Sequence, residues 1–463
     1  MYFKNNRVTK SFLLILLAAI FASVLSFIPG DTKIFGFGIK KIDFISDIRN
    51  TELESTSFKD MKFSKHPNYA MINPSELSKL SSDFMGREFS KIYQPNSTFE
   101  MIDLSGNLSN LSHFFQALKS SSSRKVRIAH FGDSAIEGDL ITATIRNILQ
   151  KQFGGVGVGF LSVTSQDVSF RTTTKHSFSS DWKTGSIILG NSNKWLVGMS
   201  GSVSSPASNS WIKYETMHLY NKPFSNARLI YTDSKGGTIK YSTNNGAENT
   251  ANLTAGAGVK ELSLSLPTDT KNLKLTFPTA DQGKFFGVSL ESGNGVYVDN
   301  FPLRGNSGVS IKDIPLDALK GFNRIFDYKL VVLSFGLNMT TSGTSDFSWY
   351  EREMIKVVEH LKSAFPQTSI IIVGVGDRST KQGTNFVTDP GIPKLIKAQK
   401  NVASTTGIVF WNLFEAMGGQ NSMPKWVNSN PPLAMKDYTH NTLQGAEKIA
   451  KLFTDALLEQ FKK

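Results

Sequence analysis

A chain of 463 residues with 51 Lys and Arg against 38 Asp and Glu carries a formal charge of +13, yet its basic residues are scattered rather than packed into blocks, which argues against nucleic acid as a partner. The absence of cysteine excludes disulfides, thiolate catalysis and Cys-based zinc sites. With 40% hydrophobic residues the chain can bury a sizeable core, and its length suggests two or three domains. At the N-terminus, Lys4, Arg7 and Lys10 precede an uncharged apolar run at 11–29, and the first acid is Asp31. Such a start reads as an export signal. The run is near the lower limit for crossing a bilayer, about 17 residues, and no small-x-small cleavage site leads into a polar mature start. Residues 1–31 therefore read as an uncleaved signal anchor in preference to a cleaved peptide. That would make the inner membrane a partner and put the bulk of the protein in the periplasm or cell envelope.

Residues 32–100 form a mixed lead-in with turn signals at Asn73-Pro74 and Gln94-Pro95-Asn96. Apolar spacing predicts a helix over 104–118, a strand over 126–129 and a helix over 139–153. The glycines of 154–159 follow a helix instead of joining a strand to one, so they read as a flexible turn and not as a phosphate loop. Between 161 and 299 the texture changes to short alternating segments separated by Gly, Asn, Ser and Asp, which suggests a β-sandwich inserted between 101–160 and 300–463. Trp182, Trp195, Trp211, Tyr214 and Tyr220 lie there; they could stack on sugar rings, but aromatic residues of sandwiches are read first as core. After residue 300, runs at 330–335, 369–374 and 407–411 look like strands buried on both faces, with helices expected at 349–365, 392–403 and 443–461. Strands alternating with helices predict an α/β fold with a parallel sheet.

The residues that carry chemistry lie at the two ends of this alternation. Gly132-Asp133-Ser134 directly follows the strand of 126–129, so the Ser134 hydroxyl would project above the sheet edge where helix amides can face a developing oxyanion. Asp437-Tyr438-Thr439-His440 offers a carboxylate and an imidazole just ahead of the last helix. Serine is a weak nucleophile until a base takes its proton, and an imidazole with an ordinary pKa of about 6.5 suits that task. Asp437 can fold back onto the other ring nitrogen of His440 and hold its tautomer. Plainer roles exist for each: Ser134 as a helix cap, Asp437 and Thr439 as caps of the last helix, and Asn338 as a strand-end turn residue. Asp133 is expected to brace the turn that carries Ser134, and His130, inside a strand, to be packed or hydrogen-bonded in the core. His66, His113, His176, His218 and His360 show no metal-ligand spacing, and no metal is expected.

Four separated blocks, Gly132-Asp133-Ser134, Arg304-Gly305-Asn306-Ser307-Gly308, Ser334-Phe335-Gly336-Leu337-Asn338 and Asp437-Tyr438-Thr439-His440, resemble those of the SGNH/GDSL hydrolase superfamily, and within it the bacterial peptidoglycan O-acetylesterases. The resemblance implies an SGNH, flavodoxin-like hydrolase domain with an inserted carbohydrate-binding-module-like β-region. It implies Ser134, Asp437 and His440 as catalytic residues, and an oxyanion hole from the Ser134 and Gly305 N–H groups and the Asn338 amide. Gly305 could instead be a turn glycine, with Gly308 the residue that matters. The implied activity, without a cofactor, is removal of O-acetyl groups from a glycan polymer such as peptidoglycan through an acyl-serine. The alternatives are an O-acetyltransferase acting on envelope polysaccharide and a non-catalytic glycan-binding protein. Glu137, close to Ser134, departs from the small or polar residues usual at that position.

Overall fold

The structure, a computed structural model, describes residues 33–34, 37–38, 102–165, 168, 171–192, 195–217, 222–340 and 346–463. The chain divides into a unit of residues 1–56 and one of residues 57–463. In the first, only an antiparallel ladder of Lys33–Ile34 with Phe37–Gly38 is described; all that follows concerns the second. The expected membrane anchor is corrected here. Among the described residues no helix is long and apolar enough to cross a membrane, and the run at 11–29 lies outside them, so neither a transmembrane segment nor the inner membrane as a partner is retained.

One sheet organises the second unit. Its strands are β1 (Ser105–Gly106), β2 (Lys125–Gly132), β3 (Gly295–Pro302), β4 (Tyr328–Ser334), β5 (Ser369–Val373) and β6 (Val409–Trp411), in the spatial order β3-β2-β4-β5-β6-β1. All neighbours are parallel except β1, which closes the edge antiparallel to β6. Successive side chains of a strand point to opposite faces, and the two cores divide accordingly. Val126, Ile128, Leu330, Val332, Ile371 and Val373 pack under α1 (Ser112–Lys119), α2 (Leu140–Phe153) and α6 (Leu443–Lys462). Ala129, Phe131, Val331, Leu333, Ile370 and Ile372 pack under α3 (Leu316–Phe326), α4 (Ser348–Ala364) and α5 (Gly391–Thr406). Burial on both faces is why these strands read as unbroken apolar runs. The helix expected over 104–118 is broken instead: β1 and a 3-10 turn at Leu108–Leu111 precede α1, because Gly106 at φ +84° turns the chain onto the edge of β6.

Between α2 and β3 the chain builds two antiparallel sheets. The first runs Lys260–Ser265, Asn226–Thr232, Lys284–Ser292, Ser202–Ser205, Lys183–Ser186, with Val156–Ser162 also paired to Lys284–Ser292; the second runs Asn249–Asn252, Thr238–Thr243, Asn272–Phe277, Ser210–Thr216, Thr174–Phe178. Both sheets contribute to one core, in which Leu229, Val288, Leu290, Ile212, Leu273 and Leu275 are buried. Trp182 and Tyr214 belong to that core, while Trp195 and Trp211 are half-buried; Tyr220 lies outside the described residues. The glycines of 154–159 are not a flexible turn. They lead into a strand, and a Cβ at Gly157 would stand 2.2 Å from the Leu290 carbonyl oxygen, one at Gly159 2.2 Å from Asp299 Oδ1. Close backbone approach, not loop freedom, requires glycine there.

An ionic cluster joins the parallel and antiparallel sheets. Arg127 of β2 is buried and donates to both oxygens of Asp299 of β3 at 2.8 Å and to Glu291; Tyr328 Oη donates to Asp299 at 2.7 Å. Burial would lower the Arg127 pKa, but the two carboxylates more than offset it and the guanidinium stays charged. The described fold is thus α/β with parallel and antiparallel sheets.

Candidate active site

The site lies where β2 and β4 end side by side, the place at which the strand order reverses and ligands of open α/β sheets bind. After Gly132 the chain makes a 3-10 turn, Ser134–Asp139, before α2. A Cβ at Gly132 would meet the Ile136 side chain and the Ser334 carbonyl oxygen at 2.9 Å, so only glycine lets the turn close over β4. Asp133, 1% exposed, accepts the Ala135 N–H at 3.0 Å and the N–H groups of Gly336 and Leu337, which ties the serine turn to the loop after β4. Burial pushes its carboxyl up to about 6 against those bonds. The far end of the turn is held by Asp139, whose buried carboxylate accepts from Thr142, from Arg146 at 2.8 and 2.9 Å and from Thr173 at 2.6 Å. Asp139 and Arg146 stand seven residues apart, two turns along the same side of the helix.

Asp437 and His440 reach this turn from the loop ahead of α6. One carboxylate oxygen of Asp437 accepts the N–H groups of Thr439 and His440, each at 3.0 Å, which folds the tetrapeptide into a tight turn with Tyr438 at φ +55°. The other accepts from His440 Nδ1 at 2.7 Å, and His440 Nε2 lies 3.2 Å from Ser134 Oγ. Burial would raise the Asp437 pKa; the bonds from the ring and backbone of His440 prevail and hold it below the usual carboxylate range. The capping alternatives do not describe these residues: Asp133 caps the serine turn, and Thr442 caps α6 by accepting the Gly445 N–H at 3.2 Å.

The remaining expected residues line the same rim. Asn338 Nδ2 donates to the Asn306 carbonyl at 3.1 Å and so links the loop after β4 to the one after β3. Gly305 sits at φ +73° with nothing within 4 Å of where a Cβ would be, whereas a Cβ at Gly308, at φ +89°, would stand 2.7 Å from the Phe335 ring. Gly305 faces open space and Gly308 packs. Among the described residues the N–H groups of Ser134 and Gly305 donate to no protein acceptor. His130 is buried with Nε2 2.8 Å from Ser334 Oγ, and burial lowers its pKa to about 3, so it is neutral and apart from Ser134. No group of three or more His, Asp or Glu that could hold a metal occurs among the described residues.

One partner of the site escaped the sequence reading. Ser379–Gln382 and Asn385–Thr388 form a hairpin whose Ser379 N–H donates to the Tyr438 carbonyl at 3.0 Å and whose Phe386 ring lies on that of Tyr438. The hairpin is short and polar, and only the contact made across the fold marks it.

No protein-family model matches the chain, and no curated protein matches it. Among solved structures, one described as "Peptidoglycan O-acetylesterase in action, 5 min" superposes with a TM-score of 0.65 at 20% identity, over 78% of this chain and 99% of that one. A family two carbohydrate esterase from Cellvibrio japonicus matches at 8% identity, 63% and 98% coverage and a TM-score of 0.27. One from Clostridium thermocellum in complex with cellohexaose matches at 9% identity, 57% and 95% coverage and a TM-score of 0.28. The last two superpositions are too poor to bear on the fold. With the first, this chain shares its fold, and the four blocks lie together at one rim of the shared parallel sheet.

Proposed function

We propose that this chain is a serine esterase that removes O-acetyl groups from a cell-wall glycan such as peptidoglycan. The observation that carries the reading is the relay of Ser134, His440 and Asp437, with distances of 3.2 and 2.7 Å. The His440 ring takes the Ser134 proton as Oγ attacks the acetyl carbon. Asp437, ionised and anchored by its backbone bonds, holds the tautomer that leaves Nε2 free to accept. The N–H groups of Ser134 and Gly305 and the amide of Asn338 stabilise the tetrahedral oxyanion, each such donor contributing about 2.7–4 kcal/mol. Collapse expels the sugar oxygen, which takes the proton from His440. Water, deprotonated by the same ring, then releases acetate and restores Ser134.

The glycan and the acetyl group are supported by the resemblance of the four blocks and by the fold shared with the O-acetylesterase structure. The parallel strands, numbered among themselves along the chain, run 2-1-3-4-5, the flavodoxin-like order. The same reading makes 101–160 and 300–463 the hydrolase domain and 161–299 a carbohydrate-binding-module-like insertion. It places the protein outside the cytoplasm, in the periplasm or cell envelope. The test is acetate release from an activated acetyl ester and from O-acetylated peptidoglycan by protein lacking residues 1–31, beside Ser134→Ala. Equal rates in the two proteins would end the reading. Abundant acetylated acceptor with negligible free acetate would replace it by acetyl transfer.

A further inference from the structure

Beside the serine turn lies a cleft with about 750 Å³ of space, part of it open to solvent. Glu137, Asn300 and Arg304 line it from the hydrolase side, and Thr184, Ser186 and Ser202 from the antiparallel sheet. The Glu137 carboxylate is buried and pairs with Arg304 at 3.3 Å, while the Arg304 side chain remains 35% exposed. A buried carboxylate persists when paired, and the pair in turn fixes the guanidinium beside Gly305. On the opposite wall the hydroxyls are close to one another: Thr184 Oγ1 is 2.9 Å from Ser204 Oγ, and Ser200 Oγ, also lining the cleft, is 3.0 Å from Ser202 Oγ.

These groups select a ligand class. Each hydroxyl both donates and accepts, so the wall matches a partner whose own groups do both. The Arg304 fork suits a carbonyl or hydroxyl oxygen. Both arginines of the lining already face a carboxylate, Arg304 that of Glu137 at 3.3 Å and Arg171 that of Asp139 at 3.5 Å, so a carboxylate or phosphate would meet a negative charge at either. The apolar surfaces of Phe160, Leu161 and Ile188, which also line the cleft, suit a methyl group or a ring face. We infer that the cleft is a subsite for a neutral sugar ring bearing hydroxyl and acetamido groups, the ring next to the esterified one along the polymer, with Arg304 orienting it and Glu137 positioning Arg304. The inference rests on the esterase reading and deepens it, since it names what flanks the scissile ester.

The experiment separates the two. Ser134→Ala protein is titrated calorimetrically with chitotetraose, a soluble tetramer of N-acetylglucosamine that carries no O-acetyl ester. The same titration is run on Ser134→Ala combined with Ser200→Trp, whose indole would fill the cleft from a turn, and with Arg304→Lys, which keeps the ion pair but loses the fork. The expected result is binding to the parent, at least tenfold weaker binding with Ser200→Trp and at least threefold weaker with Arg304→Lys. No measurable heat in the parent, or equal affinity in all three proteins, would overturn the subsite. Hydrolysis plays no part in these titrations, so the esterase reading stands or falls separately, on acetate release by the wild type.

Discussion

The Phe386 ring lies flat on the Tyr438 ring, with centroids 3.7 Å apart and planes 7° from parallel. Tyr438 stands between Asp437 and His440 in the chain and holds a left-handed backbone at φ +55°, a conformation that costs a residue with a side chain about 1–2 kcal/mol. The hairpin therefore braces the turn that aims the imidazole. Phe386→Ala should remove about 0.5–1.5 kcal/mol of stacking, lower the melting temperature by a few degrees and reduce kcat several-fold with little change in KM. Unchanged kcat in steady-state assays would make the stack purely structural.

The relay predicts unequal losses. Ser134→Ala should abolish turnover and labelling by an organophosphonate. Asp437→Asn, which keeps the shape but no longer fixes the Nδ1–H tautomer, should lower kcat by about 10⁴. Labelling and single-turnover kinetics read these effects, and a loss of less than tenfold for Asp437→Asn would remove Asp437 from the relay.

The two glycines of the loop after β3 should behave differently. Gly308→Ala would push a methyl into the Phe335 ring at 2.7 Å and is expected to destabilise by about 1–3 kcal/mol, as overpacking does. Gly305→Ala meets no atom within 4 Å, so its stability cost is backbone strain alone, about 1–2 kcal/mol. Its cost in kcat should be larger if, as proposed, the Gly305 N–H serves the oxyanion, because that N–H shifts. Denaturation midpoints against kcat for the pair check the contrast.

Acid should unfold the protein through its buried carboxylates. Burial would raise Glu291, but Arg127, Arg228 and Lys125 hold it down at about 2, and Arg146 with Arg171 does the same for Asp139. A carboxylate depressed in the folded state stabilises above its unfolded pKa and loses that contribution as pH falls through the folded one. The window for Glu291 runs from about 4.5 down to about 2, and its contribution is on the order of 3 kcal/mol. Asp133, raised by burial to about 6, acts oppositely: its contribution is full below about 3.8 and is lost as pH rises toward 6. Urea midpoints should fall steeply below pH 4.5, and Glu291→Gln should be less stable at neutral pH with a shallower acid limb. An equally steep limb in the variant would refute this assignment.

Much of this could be read along the chain, and for a physical reason. Strands buried on both faces, such as Tyr328–Ser334 and Ser369–Val373, give unbroken apolar runs, and amphipathic helices such as Leu443–Lys462 give a periodic stripe. The turns that hold Ser134 and His440 are local, closed by Asp133 and Asp437 upon their own neighbours, so short blocks reveal them. What could not be read depends on partners far apart in the chain. Arg127 meets Glu291 across 164 positions and Glu137 meets Arg304 across 167, and no spacing rule reports such pairs. The glycines of 154–159 misled because their reason lies in Leu290 and Asp299, not in their own sequence.

The antiparallel region leaves and rejoins the parallel-sheet half at a single seam, where the Val296 N–H donates to the Gly154 carbonyl at 2.9 Å and the Gly295 N–H to that of Arg124 at 3.1 Å. One peptide could bridge that gap, so the connectivity of the sheet would survive excision of everything between. Its solvation would not. Phe322 and Phe326 of α3, now covered by Phe160 and Phe286, would face water, and the Arg127 guanidinium would lose Glu291. What topology makes detachable, burial has made permanent: the antiparallel sheets serve as the missing outer wall of the parallel-sheet half and not as an accessory hung from it.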